Sequence, residues 1–511
     1  MNELAFDPIY LIGEFALIAL IVVLVVIDVF KKPIFAVLND PKRADELDSR
    51  NKQVSWITGI GLAVVALLYF VYGRMFSGES VILLNNSIKA GGGVYIGKIA
   101  LIAAGLCTVL MSARYTRAQA IPGIDYYLLL CFSLLGAVTL IATENFLILF
   151  LALEMMSIPV YALVGLKHFD SRAGESAIKY LLLGGFSSAF LLLGISLLYG
   201  VSGSLVIQEV ISSLSFQSIT FSNPQSLLSG LGMILVFVGL AFKVSLVPFH
   251  AWTPDVYEGA ATPVTAFMSV AVKLAAFSII LKLFANVTSF GVFDSALSGV
   301  FGFFALITII YGNSVAIVQK NVKRMLAYSS IAHAGYMALA LAPMHHTIEA
   351  QQAVLFYGIG YISMNMLAFG VLVYLTHRGN YCENISDLRG IANKYPGAAA
   401  MMAIAMFSLG GLPPAVGFVG KLLVFMQLIK GKMYLTAVIA LIFSLVALYF
   451  YINIIVVMYM RDREDEIKDV GKTALTPLWI SLGATALFVL ISGILPSSLM
   501  RWAMAWAETL F

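Results

Sequence analysis

Charged residues are scarce in this sequence: Asp, Glu, Lys and Arg make up only 11% of its 511 residues, while 60% are hydrophobic. Soluble globular proteins carry about 25% charged residues, so an ordinary soluble protein is excluded and an integral membrane protein is indicated. The longest stretches between apolar runs, 31–53, 74–95 and 201–227, are too short to hold a soluble domain. We therefore expect residues 1–511 to form a single all-α membrane domain.

Cysteine clusters and nucleotide-binding fingerprints are also missing. The three cysteines, Cys107, Cys131 and Cys382, form no CxxC pair, and the sequence contains neither a cluster of metal ligands nor a Gly-rich nucleotide motif. We therefore expect no metal or cofactor in this chain, and we expect the cysteines to pack as small apolar side chains. The net charge of +4 comes from scattered basic residues, which argues against a nucleic-acid partner.

Long apolar runs, by contrast, are abundant. About 20 residues are needed to cross the bilayer as a helix, and the sequence contains about fourteen runs of suitable length. The predicted spans are 9–30, 54–73, 96–113, 122–142, 144–166, 175–200, 228–247, 262–285, 297–318, 325–342, 350–376, 396–429, 433–460 and 476–498.

The lysines and arginines of the predicted loops are distributed unevenly. Loops on one side of the membrane hold 20 of them, whereas the other side holds 6. Because cytoplasmic loops carry an excess of Lys and Arg, the richer side is predicted to be cytoplasmic. With an even number of spans, both termini are then predicted to face the outer side.

The seventh predicted span combines a lysine with a helix-breaking proline. Lys243 lies in its last third, Pro248 follows, and a polar segment containing His250 leads to Lys273 in the next span. A lysine at membrane depth is costly and usually faces a bundle interior or a wet cavity. Proline removes a backbone donor, and irregular backbone at that depth survives only inside protein or beside water. The region 243–273 is therefore predicted to form part of an ion path.

The twelfth predicted span repeats this combination. Its sequence GGLPPAVGFVGK, 410–421, contains the helix-breaking Pro413 and Pro414 and ends at Lys421. The glycines permit backbone conformations and close packing that other residues do not. This span is therefore also predicted to be broken, with a lysine in its second half.

The two broken spans are five spans apart, so they cross the membrane in opposite directions. Interrupted spans in corresponding positions are typical of inverted repeats with ion sites near the membrane midplane. We predict five-helix repeats at 122–285 (spans four to eight) and 297–460 (spans nine to thirteen). Three N-terminal helices within 1–121 and one C-terminal helix within 476–511 would flank them. Two ordinary kinked helices that carry lysines by accident are the alternative.

Three further charged residues lie within predicted spans. Glu154 is near the middle of the fifth span, where a lone carboxylate would become neutral, so it is predicted either to take part in a proton path or to form a structural ion pair. Lys179, near the inner end of the sixth span, either joins the path or extends to the membrane surface. Lys282, near the outer end of the eighth span, is predicted to extend to the surface.

One histidine also lies in the middle of a predicted span. His333 is part of YSSIAHAGY, 328–336, beside Ser329 and Ser330. A histidine on a helix is often a packing residue. At membrane depth and among hydroxyl groups it is predicted to relay protons, because its pKa lies nearest neutrality.

These segments resemble the antiporter-like subunits of respiratory complex I and the related Mrp-type cation/proton antiporters. The motifs KVSLVPFHAWTPDVYEGAATPVTAF, YSSIAHAGY and GLPPAVGFVGK carry the resemblance, which extends over most of the chain. Within this family, WTPDVYEGAATPVTAF and the lysine at position 421 are most similar to the bacterial subunit N type.

The resemblance implies a function and a setting. It implies a proton-translocating subunit of NADH:quinone oxidoreductase, in a bacterial inner membrane, among neighbouring antiporter-like and small hydrophobic subunits. It also implies that NADH, FMN, iron–sulfur clusters and quinone bind to partner subunits and that this chain moves protons in response to their electron transfer.

The resemblance further assigns roles to individual residues. Glu154 resembles the charge-pairing glutamate of the family, and Lys243 resembles the lysine with which it pairs. Lys273 resembles the lysine that links two half-paths, and Lys421 resembles the terminal lysine of the second. Burial favours neutral lysine, whereas a nearby carboxylate favours the charged form, so movement of Glu154 would make Lys243 hold or release its proton. The residues that resemble accessory polar groups of the path are His250, His333 and Lys179.

Two other functions fit the same residues. One is a Mrp-type cation/proton antiporter subunit, which would work without a dehydrogenase. The other is a structural spacer in a redox complex, in which alanine at Glu154, Lys243 or Lys421 would affect only stability.

Overall fold

The computed structural model describes residues 8–30, 44–76, 80–119, 121–167, 170–213, 224–287, 294–343, 348–378, 382–462 and 476–510. These residues are predominantly helical, as expected for an all-α membrane protein. One continuous cluster of buried apolar side chains extends from Leu17 to Leu510 and packs the helices together.

Ten α-helices occupy the first part of the described chain. Their bounds are α1 Ile12–Val29, α2 Ala44–Met75, α3 Val94–Ala118, α4 Gly123–Ala142, α5 Phe146–Val164, α6 Ser171–Ser202, α7 Ile207–Ser213, α8 Pro224–Val244, α9 Trp252–Gly259 and α10 Thr262–Val287.

Nine α-helices follow in the second part. Their bounds are α11 Asp294–Ile317, α12 Val322–Leu339, α13 Ile348–His377, α14 Ile391–Lys394, α15 Pro396–Gly410, α16 Val416–Lys430, α17 Tyr434–Met460, α18 Thr476–Ile494 and α19 Ser497–Glu508. Single 3₁₀ turns lie at Pro8–Leu11 and Ile385–Leu388.

Among the described residues, twelve helices are long and apolar enough to cross a membrane, against the fourteen expected. The difference lies in two predicted spans. The span 325–342 corresponds to α12, which has only 18 residues and carries Lys323 and Arg324 in its first turn. The span 396–429 is divided into α15 and α16, each of 15 residues. Each is shorter than the length of about 20 residues that a single crossing needs.

A β-hairpin between α2 and α3 departs from the purely helical expectation. Strand β1, Ser80–Leu83, pairs antiparallel with β2, Ile88–Gly91. The turn places Leu84, Asn85 and Asn86 at positive φ, a conformation that Asn tolerates better than most residues. The short strands and this turn explain why apolar periodicity did not reveal the hairpin.

Two helices form the centre of the molecule. Every residue of Thr262–Phe284 in α10 is buried, and so is every residue of 350–375 in α13 except Gln352, as expected of segments that are apolar on every side. They pack against each other. Most polar groups in these two segments are therefore shielded from lipid and water and find partners inside the protein.

Candidate functional site

Lys243 lies in the last turn of α8, just before the chain leaves the helix at Val244. Its side chain is buried, and Nζ donates hydrogen bonds to Ser157 Oγ at 3.0 Å and to Tyr161 OH at 2.9 Å. Ser157 and Tyr161 are four residues apart on α5 and therefore lie on one face of that helix. Two neutral hydroxyls thus hold the side-chain nitrogen of Lys243.

Glu154 lies one turn before Ser157 on the same face of α5. Its Oε1 accepts a hydrogen bond of 2.5 Å from Ser188 on α6. In the described part of the chain, no ion pair joins Glu154 to Lys243, so the expected direct pairing is not present in this arrangement. The reason is geometric. Ser157 and Tyr161 accept hydrogen bonds from Lys243 Nζ, whereas Ser188 donates one to the Glu154 carboxylate.

Hydroxyl groups of the segment between α8 and α10 lie between Lys243 and the centre of the molecule. Pro248 lies in the turn that separates α8 from α9. Ser245, in the same turn, accepts a hydrogen bond of 2.8 Å from Thr253 on α9. One helical turn further along α9, Tyr257 OH is hydrogen-bonded to Ser330 Oγ of α12 at 3.3 Å. This turn and α9 together bridge the gap between α8 and α12.

Lys273 is the central charged group of the site. It lies on the buried helix α10 with 1% of its surface exposed. Its Nζ donates to the backbone oxygen of Ser330 at 2.7 Å and to the Ser330 hydroxyl at 2.6 Å. No carboxylate pairs with Lys273 within the described residues. Ser330 therefore connects Lys273 to Tyr257.

His333 follows Ser330 by one turn on α12. Its Nδ1 is hydrogen-bonded to Tyr357 OH on α13 at 2.8 Å, and its Nε2 to Tyr451 OH on α17 at 3.0 Å. A neutral imidazole donates from one nitrogen and accepts at the other. With both nitrogens bonded to hydroxyls, the ring has the partners that a proton relay requires.

Lys421, on α16, ends the series. Its Nζ donates to the Gly410 backbone oxygen at 2.9 Å and to Ser444 Oγ on α17 at 3.1 Å. Pro413 and Pro414 lie in the turn between α15 and α16. Gly411, at φ +82°, opens this turn, and a Cβ there would lie 2.8 Å from Lys421 Cδ. The turn thus exposes a backbone oxygen to the lysine and leaves room for its side chain.

Two accessory candidates lie apart from this series. The His250 ring contacts Tyr311, with 4.6 Å between ring centroids, and its Nδ1 has no partner among the described residues. Lys179 is 43% exposed and forms ion pairs with Glu175 at 2.7 Å and Asp255 at 3.0 Å. Neither residue is hydrogen-bonded to the buried lysines.

Asp255 links Lys179 to a partly exposed charge cluster. Arg324 pairs with Asp255 at 2.8 Å and with Glu258 at 2.9 Å. Burial opposes ionisation of Asp255, but the hydrogen bonds from Lys179 and Arg324 outweigh it and hold the pKa of this carboxyl below its usual value. Lys179 therefore belongs to an ionic cluster that joins α6, α9 and α12.

The prediction that Lys282 extends to the membrane surface is wrong. Its side chain is 1% exposed, and Nζ donates to Glu144 Oε1 at 2.8 Å and to the Thr143 backbone oxygen at 2.7 Å. The sequence placed Lys282 near a helix end, but the loop before α5 covers that end and supplies a carboxylate.

Sequence reasoning missed most of the hydroxyl groups around the lysines. Serine and tyrosine are frequent in this chain, so no single one stood out. The helical spacing from Glu154 would have identified Ser157 and Tyr161, because three and seven residues return to one face. The remaining groups come from helices distant in sequence and carry no such signal; they are Ser188, Tyr257, Tyr357, Tyr451 and Ser444.

Comparisons with known proteins identify the family of the chain. Residues 143–447 match the family described as NADH:quinone oxidoreductase/Mrp antiporter, TM. The chain is 38% identical over 461 residues to NADH-quinone oxidoreductase subunit N of Desulfovibrio desulfuricans, covering 88% of this chain and 89% of the relative. A second relative, subunit N 1 of Herpetosiphon aurantiacus, is 41% identical, with 82% of this chain and 84% of that protein covered.

Among solved structures, a chain of respiratory complex I from Thermus thermophilus has a TM-score of 0.75 and 30% identity. That match covers 96% of this chain and 100% of the other. The family match covers the helices that carry Lys243, Lys273 and Lys421. The chain therefore belongs to the antiporter-like membrane subunits of NADH:quinone oxidoreductase and, within them, to the subunit N family.

Proposed function

We propose that this chain translocates protons across a membrane along a buried series of lysines, as a subunit of an NADH:quinone oxidoreductase. The observation that carries the proposal is Lys273. This buried ammonium group at the centre of the molecule has hydroxyl and backbone partners and no carboxylate partner among the described residues. Because it is costly to bury a charge at membrane depth, charged side chains lie there mainly where function needs them.

Polar groups extend from Lys273 in both directions. Toward Lys421 they are Ser330 and His333 on α12, then Tyr451 and Ser444 on α17. Steps within one helix span one or two turns, about 5–11 Å, so water molecules between these groups would complete a path. On the side toward Lys243, the hydrogen-bonded hydroxyls of Tyr257, Thr253 and Ser245 would carry protons in the same way.

Glu154 is the group that would drive the path. At present Ser188 holds its carboxylate, while Ser157 and Tyr161 hold Lys243. A move of the carboxylate by one turn along the face of α5 would bring it to Lys243 Nζ. Because a nearby carboxylate favours the charged lysine, this movement would make Lys243 take up a proton, and its reversal would release the proton toward Lys273. Moving one charge against 100 mV costs about 2.3 kcal/mol, which corresponds to a shift of about two pKa units.

Two inverted repeats, 122–285 and 297–460, are part of the proposal. Two pairs of backbone hydrogen bonds support them. Phe146 N donates to Leu205 O at 2.9 Å and Ile207 N to Glu144 O at 2.9 Å. In the second set of helices, the start of α12 and the segment after α13 make the same pair; these bonds are Val322 N to Glu383 O at 2.8 Å and Ile385 N to Lys320 O at 2.8 Å.

The proposed repeats also agree in other respects. Asn145 caps α5 and Asn321 caps α12, each through its side chain. The pairs α8/α9 and α15/α16 are each separated by a proline-containing turn and would be the broken helices of the two repeats. With 1–121 before the repeats and 476–511 after them, the chain would form one membrane unit.

The proposal also includes the partner subunits of the chain, its membrane and its orientation there. Partner subunits would bind NADH, FMN, iron–sulfur clusters and quinone, and neighbouring antiporter-like and small hydrophobic subunits would pack beside this chain. In a bacterial inner membrane, both termini would face the outer side, as the distribution of Lys and Arg predicts.

The first test is extraction from native membranes in mild detergent. The chain is expected to travel with a large assembly that oxidises NADH with quinone. Migration with small hydrophobic partners, sodium-dependent proton flux and no dehydrogenase would contradict the proposal and favour a Mrp-type antiporter.

The second test addresses the path itself. Lys243→Ala is expected to reduce NADH-driven proton transport by at least about tenfold, in the range of losses when a proton-transferring group is removed, with assembly of the complex unchanged. Glu154→Gln, which keeps the hydrogen bond to Ser188 and removes the charge, is expected to do the same. Normal proton transport in both variants would leave this chain as a structural spacer.

A further inference from the structure

A groove of about 710 Å³ opens on the side of the molecule formed by α2, α3, α18 and α19. One face of α3 forms its floor: Ile96, Ala100, Ala103 and Cys107 recur at intervals of three or four residues. The alanines leave space that bulkier side chains would fill, and exposed Ala484 on α18 widens it. A volume of this size lies in the range of ligand-binding pockets.

The groove has one cationic end and one apolar end. Arg74 lines the end nearest the β-hairpin, where α2 finishes and α3 begins. Its guanidinium lies 5.3 Å from the centre of the Phe70 ring, also part of the lining, and makes no ion pair with any residue in the described ranges. Trp502 of α19, 51% exposed, lines the groove one turn from Ala505, which lies against Gly93 at this end. Arg and Trp at the end of an apolar groove are placed as in the interface of a membrane.

The length of the groove identifies the kind of ligand. The eleven residue steps from Ile96 to Cys107 span about 16 Å along α3. Half of a hydrocarbon core of about 30 Å is about 15 Å, so the groove is as long as the acyl chain layer of one leaflet. An acyl chain lying along α3 would place its headgroup beside Arg74 and Trp502.

We propose that this groove binds one phospholipid with an anionic headgroup, its phosphate on Arg74 and an acyl chain along α3 toward Ile359 and Ser363 of α13. The guanidinium of Arg74, which forms no ion pair with any described residue, favours an anionic lipid over a zwitterionic one, since one basic side chain contributes about a fivefold preference at a membrane surface. The small side chains of α3 and α18 leave room for the acyl chain. The site is separate from the buried lysine series.

The test measures lipids that remain on the full-length protein in its native complex. The purified complex is delipidated, incubated with phosphatidylglycerol or with phosphatidylcholine of the same chain length, washed, and analysed by mass spectrometry. Wild type is expected to retain about one phosphatidylglycerol per chain in the groove, and in Arg74→Gln this retention is expected to fall about fivefold. Ala103→Leu, which fills the groove, is expected to lose both lipids.

Two matched variants serve as controls. Arg501→Gln removes an exposed arginine of α19 that does not line the groove, and Ala400→Leu enlarges an exposed alanine on α15. Both should retain lipid as wild type does. Because Arg74 is exposed, its replacement leaves the packing intact and tests the proposal even if Ala103→Leu fails to assemble.

Three outcomes would overturn the proposal. The first is equal lipid retention by wild type, Arg74→Gln and Ala103→Leu. The second is an isoprenoid quinone in the groove that Arg74→Gln does not affect. The third is loss of a partner subunit from Ala103→Leu without loss of lipid, which would show that a protein helix fills the groove.

Discussion

Helix α10 carries two buried lysines that differ in their partners. Lys273 and Lys282 are nine residues apart, and each has 1% of its surface exposed. Among the described residues, Lys273 donates only to the hydroxyl and backbone oxygen of Ser330, whereas Lys282 donates to the carboxylate of Glu144 as well as to a backbone oxygen. The same residue type on the same helix therefore lies in two electrostatic environments.

The difference separates a candidate proton carrier from a structural ion pair. A carboxylate partner stabilises the charged form of a buried lysine, whereas neutral partners leave both protonation states within reach. Glu144 also connects to the surrounding backbone: its N–H donates to Ser87 O at 2.8 Å, and its carbonyl accepts from Ile207 at 2.9 Å. Lys282 thus fixes the end of α10 to the β-hairpin and to the start of α7.

The largest effect is expected from Lys273→Met, which keeps the side-chain volume and removes the charge. Proton transport and NADH oxidation should both fall by at least about tenfold, because a group that passes the proton has been lost. The complex should assemble normally, as judged by its subunit composition after purification. Wild-type transport in an assembled variant would contradict a role for Lys273 in the path.

Lys282→Met is expected to lower the stability of the protein more than it affects the proton path itself. Removing one partner of a buried ion pair costs up to about 3–5 kcal/mol, and the charge of Lys89 near Glu144 should keep the loss toward the lower end of that range. The double variant Lys282→Met/Glu144→Leu should recover most of the thermal stability and should transport protons. A stable double variant that does not transport protons would place Lys282 in the path and remove the contrast with Lys273.

A smaller effect is expected from Tyr451→Phe. His333 loses the hydroxyl on Nε2 but keeps Tyr357 on Nδ1, so one side of the relay remains and water can replace the other. Transport should fall several-fold, by about 1 kcal/mol in the barrier, which is the usual contribution of one hydrogen bond. Phe450→Leu alters packing on the same helix without changing a hydroxyl and is expected to have no such effect. Equal losses in both variants would mean that packing, and not the relay, was disturbed.

The smallest effect is expected from Lys179→Gln. The residue is 43% exposed, and its ion pairs are near the surface, where such pairs contribute about 0–1 kcal/mol. Proton transport should stay within about twofold of wild type. A loss as large as that of Lys273→Met would show that proton uptake passes through the cluster around Asp255.

Sequence reasoning predicted the membrane class and the charged residues of the candidate site because both leave strong local signals. Apolar runs mark helices, and a lysine within such a run is conspicuous whatever its surroundings. The interruptions near Lys243 and Lys421 were visible for the same reason, since proline is incompatible with a helix interior.

What the sequence could not predict depends on contacts between distant segments. Lys282 was misassigned because its partner, Glu144, is 138 residues away and lies in a loop. The separation of Glu154 from Lys243 depends on Ser188, whose position follows from the packing of α6 against α5. The hairpin strands have four residues each, too few for an alternating pattern to identify them.

The most direct test of the central claim compares two variants in one assay. NADH-driven proton transport is measured in vesicles that contain equal amounts of assembled complex, with either Lys273→Met or Lys282→Met/Glu144→Leu. The account predicts that the first variant loses transport and that the second retains it. Retention by both, or loss by both, would contradict the claim that protons pass along the lysines without carboxylate partners.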